Sequence, residues 1–175
     1  NSCNSAFMQM GLAMGTETFY DYIHTFGFGQ QTGIDFPSDQ GGIVMAEKYV
    51  KNSDLARIAF GQSIAVTPLQ LISSFSAVVN GGFSYEPTLV KGLTDSEGQY
   101  IEKVEPKVIS QPITAETSAT MRSILESVVA EGSGKNCYIP GYRVGGKTGT
   151  AQKYDENHQV MTGKHIASFI AFAPV

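Results

Sequence analysis

Gly141-Tyr142-Arg143-Val144-Gly145-Gly146-Lys147-Thr148 decides the fold, because it supports two incompatible readings. Letter by letter it fits the phosphate-binding pattern G-x-x-x-x-G-K-[ST]. That pattern needs a buried strand before it and a helix after it, whose first N–H groups hold the phosphates. The flanks refuse it. The preceding GSGKNCYIP ends in Pro140 and makes a poor core strand, and the following GTAQKYDENHQ has no helical apolar period. No apolar strand ending in Asp, suited to a magnesium site, comes after. The other reading places Lys147-Thr148-Gly149 on a β-strand as a K-T-G triplet.

Working outward, the pattern predicts strands over 142–152 and about 164–173, joined by 153–163 as an extended hairpin. The second strand, HIASFIAFA, is almost continuously apolar and reads as a central strand covered on both faces. Upstream, Thr114 caps a helix over 115–131, with Met121, Ile124, Leu125, Val128 and Val129 as its apolar stripe and Gly132 as its stop. Residues 84–112 read as short exposed strands around an Asp95-Ser96-Glu97-Gly98 turn. In Thr67-Pro68-Leu69-Gln70 a capping hydroxyl, a first-turn proline and a box-closing Gln coincide, so a deeply buried helix starts there and ends at Asn80-Gly81-Gly82. Residues 28–45 read as a long loop. Thr16 caps a helix over 17–26 that Gly27 stops, and 5–14 forms a short buried helix with Met8, Met10 and Met14 in the core. His24 is most simply structural. The expected fold is α/β of the α+β kind, a helical part with an antiparallel sheet, and no internal repeat or linker divides it.

Composition narrows function. The 12 Lys and Arg against 16 Asp and Glu give a net charge of −4, which excludes a generic cationic grip on nucleic acid. The longest uncharged stretch, 58–85, is broken by Gly, Gln, Ser, Thr and Pro, so nothing in it reads as a membrane span. Two distant cysteines do not make a disulfide framework. The sequence opens at Asn1 without Met or a signal segment and closes just after an apolar run, and so reads as part of something longer.

A second triplet stands at the start. Ser2-Cys3-Asn4 is an S-x-N motif opening a helix, 145 positions before Lys147. Taken singly, Ser2 and Asn4 could merely cap that helix, and Lys147 could be a solvated strand lysine. Beyond the two triplets stand SCNSAF, FGFGQQTGIDFPSDQGG, IAFGQSIAVTPLQLISSFSAVVNGG, GYRVGGKTGTAQK and HIASFIAFAP. With these, the sequence resembles, from residue 1 to residue 175, the C-terminal part of the transpeptidase domain of class B, monofunctional penicillin-binding proteins.

The resemblance implies the penicillin-binding/β-lactamase-like fold, helical subdomain plus antiparallel sheet, incomplete in this chain. It implies a D,D-transpeptidase that cross-links D-Ala-D-Ala stem peptides of peptidoglycan through a serine acyl-enzyme and is acylated by β-lactams. No Ser here has a Lys three places later, the nearest miss being Ser133 and Lys135, so the S-x-x-K nucleophile is expected upstream of residue 1 and this stretch alone is expected to be inactive. By the resemblance, Ser2 relays a proton to the leaving amine and Asn4 holds the substrate amide and the first-motif Lys. Lys147 supplies positive charge near Ser2. Thr148 and Thr150 bind the substrate carboxylate, and the Thr150 N–H shares an oxyanion hole with the nucleophile's own N–H. Gly149 keeps the strand open to substrate, while Gly145 and Gly146 serve close packing. The serine mechanism requires no cofactor. Implied partners are the stem peptide, β-lactam antibiotics, cell-wall proteins of division, elongation or sporulation, and the remaining half of the transpeptidase domain. The parent is expected to be membrane-anchored and to act at the extracytoplasmic face of the bacterial cell membrane. Two other readings of the same motifs stand beside it: a serine β-lactamase or β-lactam sensor, and a non-catalytic scaffold in a cell-wall assembly complex.

Cys137, Asp155, His158 and His165 are metal-capable and flank the K-T-G strand and its hairpin. In the family the position of Cys137 more often holds a small apolar residue. If 153–163 folds back toward the start of the strand, three or four of these groups converge on a structural zinc site. Otherwise Cys137 is a buried free thiol and the histidines lie on exposed loops. A Cys3–Cys137 disulfide is the less favoured pairing of the two thiols.

Overall fold

In the computed structural model, which describes residues 2–156 and 159–175, the chain begins with helices α1 (Asn4–Met14) and α2 (Thr16–Thr25). A long loop leads to α3 (Asn52–Ala59) and α4 (Pro68–Val79). Four short strands follow, β1 (Ser84–Tyr85), β2 (Gly92–Thr94), β3 (Tyr100–Lys103) and β4 (Val108–Ser110). Then come α5 (Ala115–Ala130), β5 (Gly145–Tyr154) and β6 (Val160–Phe172). Among the described residues the strands pair antiparallel in three ribbons, β1 with β4, β2 with β3 and β5 with β6, beside an isolated antiparallel bridge between Ile43 and Ala65. This is the mixed helix and antiparallel sheet expected. Among the described residues no helix is long and apolar enough to cross a membrane.

Helix starts follow local chemistry. The Thr67 hydroxyl accepts from the Gln70 N–H at 3.1 Å, and the Gln70 side-chain oxygen accepts from the Thr67 N–H at 2.9 Å, so both halves of the capping box form. The Thr114 hydroxyl likewise accepts from the Thr117 N–H at 3.1 Å. Thr16 is different: Gly15 occupies the cap and Thr16 is the first helical residue. The sequence pattern leaves α3 unassigned, although Asp54 accepts from the Lys51 N–H at 3.1 Å and Leu55, Ala56 and Ile58 are buried. Ile58 joins Tyr20 and Ile23 in the core, with Phe19, Phe28, Val44, Val50 and Ile64 packed around them. The Tyr20 hydroxyl donates to Met45 O at 2.8 Å. Burial, with Glu47 and Asp54 nearby, pushes its pKa above the ordinary tyrosine value. His24 stacks edge-on against Tyr20, ring centroids 5.9 Å apart.

Three burial expectations are corrected. Helix α1 buries only Gly11, and Met10 is 61% exposed, so its methionines are not core. The reason is its single packed side: α1 meets α3 where a Cβ on Gly11 would lie 2.5 Å from Ala59 Cβ. Helix α4 is not deeply buried either. Leu71 and Ile72 are exposed, and its hidden face is Gln70, Ser74 and Ala77. Gln70 is there to hold the long loop: its amide donates to Gln30 O at 2.7 Å and Gly41 O at 2.9 Å. Ser74 donates to Phe26 O at 2.8 Å. Strand β6 is not covered on both faces. It pairs with β5 alone, and Ile166 is 56% exposed. Helix α5 packs on the ribbon through β5, and Phe75 of α4 meets Phe172 at the end of β6, ring centroids 5.9 Å apart.

Strand β5 also starts and ends later than the sequence pattern suggests, and β6 starts earlier. Residues 142–144 precede β5 because Arg143 is held to α5, its Nε donating to Glu126 Oε1 at 2.7 Å and its Nη2 to Oε2 at 2.5 Å. From Gly145 the register is unbroken, Gly145 opposite Phe172 through Gln152 opposite His165.

Candidate active site

The cap of α1 falls on Cys3, which makes no side-chain capping bond. Ser2 and Asn4 are thereby left to face the ribbon. Lys147, third residue of β5, reaches across and donates from Nζ to Ser2 Oγ at 2.5 Å. Its ammonium also donates to Thr148 O at 3.0 Å and Thr148 Oγ1 at 3.3 Å. An ammonium has no acceptor, so Ser2 must take this bond through a lone pair. The hydroxyl hydrogen of Ser2 therefore stays available to a third group.

Ser2 and Asn4 from the α1 end, with Lys147, Thr148, Gly149 and Thr150 from β5, line one cleft of about 860 Å³. All six candidate residues thus come together. One wall is helical, built from α1 and α3; the other is the β5–β6 ribbon. The glycines set the approach of the strands. A Cβ on Gly146 would lie 2.7 Å from Ile170 O, and one on Gly149 would lie 2.5 Å from Ser168 Oγ. The first obstacle to a side chain at Gly149 is thus the neighbouring strand.

Several cleft residues carry no role in the sequence reading. The Arg57-to-Ser63 segment leaves α3, turns through Gly61 and Ser63, both at positive φ, and lays Phe60, Gln62 and Ser63 along the cleft. From Ile58 on it lies within IAFGQSIAVTPLQL, where the Gly61-Gln62 pair breaking an apolar run is the signal. Gln152 lines the ribbon side beside His165, to which the sequence reading gave a metal role only. Ser133, first noticed as a near miss, sits with its Oγ 3.4 Å from Thr148 Oγ1.

Nothing among the described residues supports the zinc expectation. Among the described residues no three of His, Cys, Asp and Glu gather into a metal-binding group, and His158 lies outside those residues. The hairpin does not fold back: β5 and β6 run on to Tyr154 and Val160. Asp155 is seven residues along the ribbon from Thr148, about 20 Å at roughly 3.3 Å per residue. Cys137 stays with the turn after α5, its N–H bonded to Gly134 O at 2.9 Å, and His165 faces the cleft. Cys3 and Cys137 are both free thiols. The phosphate-loop pattern is not realised, because Lys147 and Thr148 lie inside a strand and no helix follows them among the described residues.

Known proteins are similar to this chain in sequence and in fold. The penicillin binding protein transpeptidase domain family matches residues 1–175. Stage V sporulation protein D of Bacillus subtilis is 46% identical over 99% of this chain and 27% of its own length. Penicillin-binding protein PbpB of Mycobacterium tuberculosis is 31% identical over 87% of this chain and 23% of its own. The chain therefore spans about a quarter of the length of these curated relatives. Among solved structures, penicillin binding protein 3 of Mycobacterium tuberculosis, complexed with ampicillin, superposes with a TM-score of 0.89 at 29% identity. That match covers 99% of this chain and 40% of that one. The transpeptidase domain of Burkholderia pseudomallei penicillin-binding protein 3 superposes with a TM-score of 0.82 at 28% identity, covering 98% and 49%.

Proposed function

The chain belongs to the penicillin-binding protein transpeptidase domain family, and from that premise we propose that it contributes two of the three catalytic motifs of a peptidoglycan D,D-transpeptidase. The observation that carries this reading is the Lys147–Ser2 hydrogen bond across 145 residues, which makes one centre of the K-T-G and S-x-N triplets. The nucleophile is a serine of an S-x-x-K motif N-terminal to this chain, because no serine here has that partner. Its Oγ attacks the penultimate D-Ala carbonyl, the amide bond to the terminal D-Ala breaks, and the leaving amine takes a proton. Ser2, with its oxygen held by Lys147 and its hydrogen free, delivers that proton. Thr148 and Thr150 bind the terminal carboxylate beside the Lys147 charge, and Asn4 holds the substrate amide. The Thr150 N–H stabilises the oxyanion together with the nucleophile's N–H. The amine of a neighbouring stem peptide then displaces the serine. The intact protein is anchored in the membrane, works at its extracytoplasmic face, and meets β-lactams there as acylating analogues of D-Ala-D-Ala. A role in spore-wall synthesis draws support from the likeness to stage V sporulation protein D.

Labelling of the full-length protein with a fluorescent penicillin tests this. The wild type takes up one stable label, and Lys147→Ala slows acylation by about 100-fold or more, the usual size of a lost proton-transfer partner. Unlabelled wild type, or a K147A variant acylated at the wild-type rate, overturns the reading. Rapid turnover of a chromogenic β-lactam instead would point to a β-lactamase.

A further inference from the structure

The charges around the cleft are segregated. The chain is acidic, with a net charge of −4. Yet the cleft is lined by Arg57, Lys147 and His165, and among the described residues by no carboxylate at all. Lys147 is accounted for by Ser2 and Thr148. Arg57 is not. It is exposed at the end of α3, on the helical wall opposite Lys147, and has no ion-pair partner among the described residues. The carboxylate one turn earlier, Asp54, is turned to the Lys51 N–H instead. A guanidinium facing a cleft with no carboxylate, and with no ion-pair partner among the described residues, suits an incoming anion, and its planar fork suits a carboxylate in two-point contact.

We propose that the cleft recognises a peptide with two carboxylates: the C-terminal one on Lys147, Thr148 and Thr150, and a second, on a residue upstream of the D-Ala pair, on Arg57. The substrate class is then a stem peptide whose upstream residue keeps its own acid group free, and amidation of that acid marks a peptide this cleft disfavours. The inference rests on the transpeptidase reading for the first carboxylate only. Gln62, next to Arg57 on the same wall, supplies amide contacts to the intervening backbone.

The test uses the full-length protein and two labelled N-acetyl peptides ending in D-Ala-D-Ala, differing only in a free carboxylate or a carboxamide on the upstream residue. Binding is read by fluorescence anisotropy. Wild type binds the free acid about tenfold more tightly, as one charge-assisted contact implies. Arg57→Gln brings the ratio to about one, Arg57→Lys keeps part of it, and Lys103→Gln on β3, outside the cleft, keeps all of it. A ratio near one in the wild type, or an undiminished ratio in R57Q, overturns the inference. Penicillin labelling of the same preparations separates the two readings. Labelled protein without discrimination sinks only the second carboxylate. Unlabelled protein sinks the transpeptidase assignment, while the anisotropy ratio still decides Arg57.

Discussion

Glu126 takes both arms of Arg143 and thereby fixes where β5 begins, two residues before the strand that carries Lys147. The hydrogen bond from Arg143 and its charge hold the Glu126 carboxyl below its ordinary pKa of 4.5. A carboxyl whose folded pKa is depressed adds stability above its unfolded value, and loses it as pH falls through the folded one. The pair is partly exposed, so salt screens it and its share is modest. Melting of the protein is therefore expected to drop more between about pH 5 and about pH 3 in the wild type than in Glu126→Gln, which has no such charge to lose. An equal drop in both, read by scanning fluorimetry, would remove the pair from the acid response.

Among elements, the contact of α1 with α3 positions the site from behind. A methyl at Gly11 would collide with Ala59, pushing away the helix that begins at Asn4, two positions after Ser2. Alanine normally favours a helix over glycine by about 1 kcal/mol. Here Gly11→Ala is expected to cost about 1–3 kcal/mol through overpacking and to slow penicillin acylation as well. Ala59→Gly in the same chain recovers acylation by restoring the room, and a purely additive double mutant would refute the coupling. This contact also shows what the sequence could and could not say. The starts at Thr67 and Thr114 and the K-T-G strand were legible because caps and turns are settled within four residues. The burial of α1, α4 and β6 was not, because apolar letters do not say which neighbour arrives. The buried face of α4 is polar for that reason: Gln70 and Ser74 serve carbonyls 29 to 48 residues away, which no local pattern records. At the site, the triplets were legible as motifs, whereas Arg57, Gln62 and Ser133 enter only through tertiary approach.

For the molecule as a whole, the outstanding quantity is uncovered apolar surface. Phe7, Met10 and Leu12 of α1 and Ile166 and Phe169 of β6 are exposed on elements that border the cleft. Patches of this kind are places where other protein surface sits, and the relatives have three quarters of their length outside the match. Residues 1–175 expressed alone are expected to bind anilinonaphthalene sulfonate several-fold more brightly, mole for mole, than the full-length protein. Met10→Gln with Ile166→Thr should dim that signal. Equal brightness of fragment and full-length protein would mean that these faces stay open in both. The Ser2–Lys147 bond has a further consequence, in time rather than space. Its partners are 145 residues apart, so Ser2 leaves the ribosome on the order of ten seconds before Lys147 at usual synthesis speeds. Closing so long a loop costs about 4 kcal/mol of chain entropy, recovered only once the intervening helices have packed. A chain that stops short of β5 thus lacks the Ser2–Lys147 bond altogether, and the two triplets meet in a single event once β5 has been made and packed.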